Sequence, residues 1–118
     1  MDKIEDKTLK LDIEIKLDLW ITKMINKAKN FQRYNREIFL KPLTESMFKM
    51  SGELARGRYI PKVRLDAWKN AQVEYYKLNS ILYQLKECRY INYGFYSEME
   101  RDLSEIGKML YSLFSKYL

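Results

Sequence analysis

The sequence predicts an all-α protein folded as an up-and-down four-helix bundle. Three observations carry that expectation. Four separate stretches space their apolar residues alternately three and four apart, the pattern of a helix face lying in a bundle seam. Only four Gly and two Pro interrupt 118 residues, too few breakers for the many turns of a sheet. Apolar residues make up 47% and charged residues 32%, which supplies one core and leaves each helix a solvated face.

The chain opens on an exception. Leu9, Leu11, Ile13, Ile15, Leu17 and Leu19 alternate with Lys10, Asp12, Glu14, Lys16 and Asp18. A period of two gathers every apolar group on one face of an extended chain. A lone strand is not stable in water. Residues 1–16 are therefore expected to form a short extended N-terminal arm that pairs with a neighbouring subunit or a partner's sheet edge. The bundle domain then spans residues 17–118. The same segment also fits a helical extension through Leu9, Ile13 and Leu17, or a frayed tail.

The first helix carries its stripe at Leu17, Ile21, Met24, Ala28 and Phe31, and the second at Leu40, Leu43, Met47, Met50 and Leu54. The third runs Trp68, Ala71, Tyr75, Leu78, Leu82 and Leu85, and the fourth Met99, Leu103, Ile106, Leu110, Leu113 and Tyr117. Pro42 either kinks the second helix near Ile38 or marks its true start, and the kink is the favoured reading. Gly57 suits a left-handed cap, and Pro61 suits the first position of the third helix. Asn92-Tyr93-Gly94 reads as the last turn, and Ser97 with Glu100 has capping-box spacing for the fourth helix.

Charge is distributed unevenly. Between Leu19 and Arg64 there are eleven Lys and Arg against three Glu, whereas residues 1–18 hold four basic and six acidic groups and residues 65–118 seven of each. The whole excess of +6 thus arises in one stretch, which favours an anionic partner. The densest group is Arg56, Arg58, Lys62 and Arg64 around the link between helices two and three. Arg33, Arg36 and Lys41 lie toward the other end of helix two, Lys23, Lys27 and Lys29 line helix one, and Lys49 shares the outward face of helix two. Guanidinium forks bind phosphate in two-pronged geometry. Arg33, Arg36, Lys41, Lys49, Arg56, Arg58, Lys62 and Arg64 are therefore the candidate nucleic-acid contacts.

The composition speaks against an enzyme. There is no His and one Cys, so Cys88 has no base to activate it and the bundle lacks the Glu-x-x-His pairs of di-metal sites. No metal or cofactor is expected. A lone Cys, the absence of a long apolar run and acidic residues near the start point to a soluble cytoplasmic protein.

Ten Tyr are present, and Tyr76 and Tyr83 stand seven apart beside the core stripe of helix three. On helix four, Gly107, Leu110, Phe114 and Leu118 form a second apolar row. These six residues are the candidate subunit interface, because a monomer has no place to bury two rows on one helix. Gly107 in a helix interior costs about 1 kcal/mol relative to Ala, which points to close approach of another helix.

Phe31-Gln32-Arg33-Tyr34-Asn35-Arg36 before an apolar helix, and Glu105-Ile106-Gly107-Lys108-Met109-Leu110 near the end, resemble two marks of one bacterial group. That group holds the accessory variability determinant of diversity-generating retroelements and the four-helix proteins encoded in intervening sequences of 23S rRNA genes. The resemblance covers roughly residues 17–118, with Gln32 where the group usually has Pro. It implies a basic homopentameric ring without catalytic activity, which binds a reverse transcriptase and its template RNA and supports error-prone cDNA synthesis. Arg33 and Arg36 match the group's basic positions after Phe, and the C-terminal motif is structural. Two other functions fit the residues: the rRNA intervening-sequence type, without a polymerase partner, and a helical protein-interaction module with no nucleic-acid role.

Overall fold

The computed structural model describes residues 9–31 and 36–117, with only the backbone described at Arg36. Among these residues every regular element is helical: α1 (Asp12–Ala28), α2 (Arg36–Tyr59), α3 (Arg64–Glu87) and α4 (Tyr93–Tyr117), with one 3-10 turn at Pro61–Val63. The bundle measures 50 × 21 × 21 Å. Each helix packs antiparallel on its sequence neighbour, and α1 closes the square against α4. The first pole joins the start of α1, the end of α2, the start of α3 and the end of α4. The α1–α2 and α3–α4 links lie at the second pole.

The four stripes form the core. Leu17, Met24, Leu43, Met47, Met50, Leu54, Trp68, Ala71, Leu78, Leu85, Met99, Leu103 and Ile106 are completely buried. Burying a side chain of this size contributes about 1.5–3 kcal/mol, so the seam dominates stability. Trp20 extends it, since its Nε1–H donates to the Met99 carbonyl at 2.9 Å and fixes α1 against α4.

The alternating N-terminal segment is not extended from Asp12 onward. Ile13 and Leu17, four apart, are buried on the same side of α1 as Trp20 and Ile21, and burial against the bundle overrides the period-two pattern. The helical extension is the correct reading for residues 12–16, while Leu9 is exposed ahead of the helix. Residues 1–8 of the expected arm lie outside the described residues.

Pro42 lies inside α2 and does not mark its start. Two link expectations change. Gly57 does not cap that helix, because it has no left-handed backbone and α2 runs on to Tyr59. A Cβ at Gly57 would lie 2.3 Å from Trp68 Nε1, so the glycine makes room for the indole, which donates to the Leu54 carbonyl at 3.3 Å. The fourth helix begins one turn before Ser97. Its cap is Asn92, whose Oδ1 accepts the Phe95 amide at 2.8 Å. Pro61 does sit at the first position of the 3-10 turn that leads into α3.

Candidate nucleic-acid interface

The first pole disperses the densest basic cluster of the sequence. Arg58 is 3% and Arg64 5% exposed. Arg58 Nε donates to Glu14 Oε2 at 2.7 Å and Nη2 donates to Glu14 Oε1 at 3.3 Å, a two-pronged pair sealed inside the bundle end. The hydrogen bond from Arg58 Nε to Glu14 holds the guanidinium above its ordinary pKa. Arg64 Nε donates to the Gly57 carbonyl at 2.7 Å and Nη2 donates to the Arg58 carbonyl at 3.2 Å. Its guanidinium also lies over the Tyr117 ring at 4.9 Å and the Trp68 ring at 5.6 Å. Both arginines hold helix ends together, and neither can reach a phosphate outside. They are removed from the candidate contacts.

Of the remaining candidates, two are already engaged. Arg56 Nε donates to Glu53 Oε2 at 2.7 Å one turn away, and that bond keeps the Glu53 carboxyl below its ordinary pKa. Lys49 Nζ lies 3.8 Å from Glu74 Oε2, an oxygen that Lys77 approaches at 3.4 Å. Glu74 itself is buried and accepts from Ser46 Oγ at 2.9 Å. Lys62 and Lys41 are exposed and have no carboxylate partner among the described residues. Arg33, and the side chain of Arg36, lie outside the described residues.

The second pole carries cations that are matched less fully. Lys29 follows the end of α1, Lys41 stands on the first turns of α2, and both are exposed without a described carboxylate partner. Arg89, just past α3, is exposed with φ of 63°. Its left-handed conformation ends α3, with the Tyr90 amide donating to the Leu85 carbonyl at 2.9 Å and the Arg89 amide to the Lys86 carbonyl at 3.0 Å. Lys27 differs, its ammonium lying 5.0 Å from the Phe95 ring centroid. Counted along the sequence, residues 27–41 hold five Lys and Arg against the single Glu37.

The six candidate interface residues divide in the same way. Gly107, Leu110 and Tyr76 meet at a shallow cleft of about 390 Å³ between α3 and α4. Leu110 belongs to the core, being 1% exposed, and is not available to a second subunit. Gly107 makes room within the chain, because a Cβ there would lie 2.5 Å from the Tyr75 ring. Phe114 packs half-buried against the core, Tyr76 and Tyr83 are exposed, and Leu118 lies outside the described residues. Cys88 is exposed. Among the described residues no three of His, Cys, Asp and Glu cluster as metal ligands, and no helix is long and apolar enough to cross a membrane.

Comparison with protein-family models, with curated proteins and with solved structures gives no match to this chain.

Proposed function

We propose that this chain is a non-enzymatic accessory protein that binds RNA through the second pole of its bundle. In the fuller reading that its sequence resemblance implies, it assembles as a homopentamer and serves a reverse transcriptase making error-prone cDNA. The observation that carries RNA binding is the run of five cations against one carboxylate over residues 27–41. Lys29 and Lys41 in that run face solvent without a described carboxylate partner, and Arg89 is exposed at the same pole. Uncancelled charge on a rigid helix end attracts a phosphodiester backbone and releases its counterions. Repetition of such a pole around an assembly multiplies the contacts.

The test is RNA binding by fluorescence anisotropy across a salt series. A Lys29→Glu/Lys41→Glu variant is expected to lose about tenfold or more in affinity and to flatten the salt slope by roughly two phosphates. Equal affinity and slope in wild type and variant would overturn the reading. The polymerase partner is tested separately, by co-purification with a reverse transcriptase carrying its template RNA.

A further inference from the structure

A cavity of about 670 Å³ opens at the second pole, where the end of α1, the start of α2 and the α3–α4 link meet. That volume falls within the range of small-molecule sites, about 300–1,000 Å³. Three aromatic side chains line it. Tyr90 packs edge-to-face with both Phe31 and Phe39, at 5.2 and 5.0 Å between ring centroids. Phe31 is buried and anchors the group, whereas Phe39 and Tyr90 are half-buried and keep ring surface on the cavity. The rim is polar and cationic. Arg89 lines the cavity and is exposed, without a carboxylate partner among the described residues. It holds a left-handed position, φ 63°, that glycine would adopt with less strain, so the backbone there does not call for an arginine. Asn30 donates its backbone amide to the Lys27 carbonyl at 3.0 Å and leaves its side-chain carboxamide without a described partner. Lys29 precedes Asn30 and Lys41 follows Phe39 by two residues, and both are exposed. The carboxylates nearest in sequence to these links are Glu37 and Glu87, and Glu87 lies 3.4 Å from Lys86.

We infer that this cavity receives one unpaired base of a single-stranded RNA, stacked on Phe39 and Tyr90, with Asn30 at the polar edge of the base and Arg89 on the adjoining phosphate. Each part of a nucleotide meets a group suited to it. The flat ring meets aromatic surface, the polar edge meets a carboxamide that both donates and accepts, and the phosphate meets a guanidinium fork. An aliphatic chain would use the rings and leave Arg89 and Asn30 unsatisfied. In a duplex the bases are stacked on one another and cannot enter, so the cavity selects unpaired RNA. This inference rests on the RNA binding of the proposed function and adds which form of RNA is taken, and where.

The experiment is fluorescence anisotropy with labelled oligouridine, alone and as its duplex with oligoadenosine. The duplex carries the denser charge, so phosphate attraction by itself favours the duplex or leaves the two equal. Wild type is expected to prefer the single strand by about tenfold or more. Phe39→Leu keeps apolar bulk and removes a stacking face. It is expected to lose about fivefold to a hundredfold in single-strand affinity, with the salt slope and the duplex affinity unchanged because no phosphate contact is touched. Circular dichroism confirms that the variant stays folded. A measurement on wild type alone stands beside it: a 2-aminopurine set among the weakly stacking uridines is expected to lose fluorescence on binding, as its ring stacks. Failure to bind either RNA would overturn RNA binding itself and this site with it. A duplex bound as tightly as the single strand, an unquenched 2-aminopurine, or full single-strand affinity in Phe39→Leu would overturn the base site and leave phosphate binding in place. Tighter capture of an acidic, tyrosine-containing peptide than of either RNA, lost in Phe39→Leu, would reassign the cavity to a protein partner and overturn the base site likewise.

Discussion

Arg58 and Glu14 are joined by two hydrogen bonds at 2.7 and 3.3 Å with both side chains almost fully buried. The same Glu14 Oε2 accepts the Leu11 amide at 2.9 Å. One carboxylate therefore serves as the start of α1 and as the counterion of α2, 44 residues away in sequence.

Removing one member leaves a buried charge without its partner, which costs about 3–5 kcal/mol. Arg58→Met is expected to destabilise the protein by that amount in urea or guanidinium unfolding. Replacing both residues by apolar groups of similar size, Glu14→Leu with Arg58→Met, is expected to recover most of the loss. At a temperature where Arg58→Met remains folded, its RNA affinity is expected to equal that of wild type. A specific loss of affinity with unchanged stability would show that Arg58 reaches the ligand after all.

The pairing explains which parts of this molecule can be read from its sequence. The four stripes are legible because helical spacing is local: Leu17 and Met24, or Leu78 and Leu85, declare their shared face within two turns. Arg58 and Arg64 carry no such local sign. Their density between Arg56 and Arg64 looks like surface charge until Glu14, Gly57 and Tyr117 arrive from distant segments. Residues 12–16 satisfy two periods at once, since Ile13 and Leu17 stand both two steps and one helical turn apart. Only the buried positions of Trp20 and Ile21 beyond them decide for helix. A hint for Gly57 was present in Trp68, an indole large enough to demand a small neighbour. Nothing local marks Gly52, where a Cβ would meet nothing within 4 Å, as different from Gly107.

The filled glycines rank in a definite order. At Gly57 a new Cβ meets the indole of Trp68, a completely buried ring held by its hydrogen bond to Leu54. Overpacking such a site costs about 1–3 kcal/mol, more than the roughly 1 kcal/mol that alanine returns in helix propensity. At Gly107 the Cβ meets the outer end of the half-buried Tyr75 ring, which can swing toward solvent. Gly57→Ala is therefore expected to lower the melting temperature and Gly107→Ala to leave it within a few degrees. The reverse order would show that Tyr75 is locked in place.

The α3–α4 link offers a stabilising change and a destabilising one. Arg89 is the only described residue other than glycine with positive φ, a conformation that costs an L residue about 1 kcal/mol and glycine little. Arg89→Gly is expected to raise stability by about 0.5–1 kcal/mol and, because Arg89 belongs to the basic pole, to weaken RNA binding. Asn92→Ala removes the cap of α4 and is expected to cost about 1 kcal/mol. Ser97→Ala, inside the helix, is expected to be close to neutral. Equal losses at Asn92 and Ser97 in thermal unfolding would place the start of α4 elsewhere.

Stability should depend on pH only at the extremes. The chain has no His, the side chain that ordinarily titrates near neutrality. Glu53, Glu98 and Glu105 are held below the ordinary 4.5 by hydrogen bonds from Arg56, Lys23 and Lys16. A carboxyl whose folded pKa lies below its unfolded value adds stability above that unfolded value and loses it as pH falls through the folded one. Lys10 and Lys23 are raised above 10.5 by hydrogen bonds to Asp18 and Glu98. Their contribution is complete below 10.5 and disappears as pH rises through the folded values. The melting temperature is therefore expected to be flat between about pH 6 and 8 and to fall below pH 4.5. Because the Lys23–Glu98 and Lys16–Glu105 pairs are largely exposed, they add little each, and Glu98→Gln should soften the acid limb only slightly. A clear slope between pH 6 and 8 would contradict this assignment.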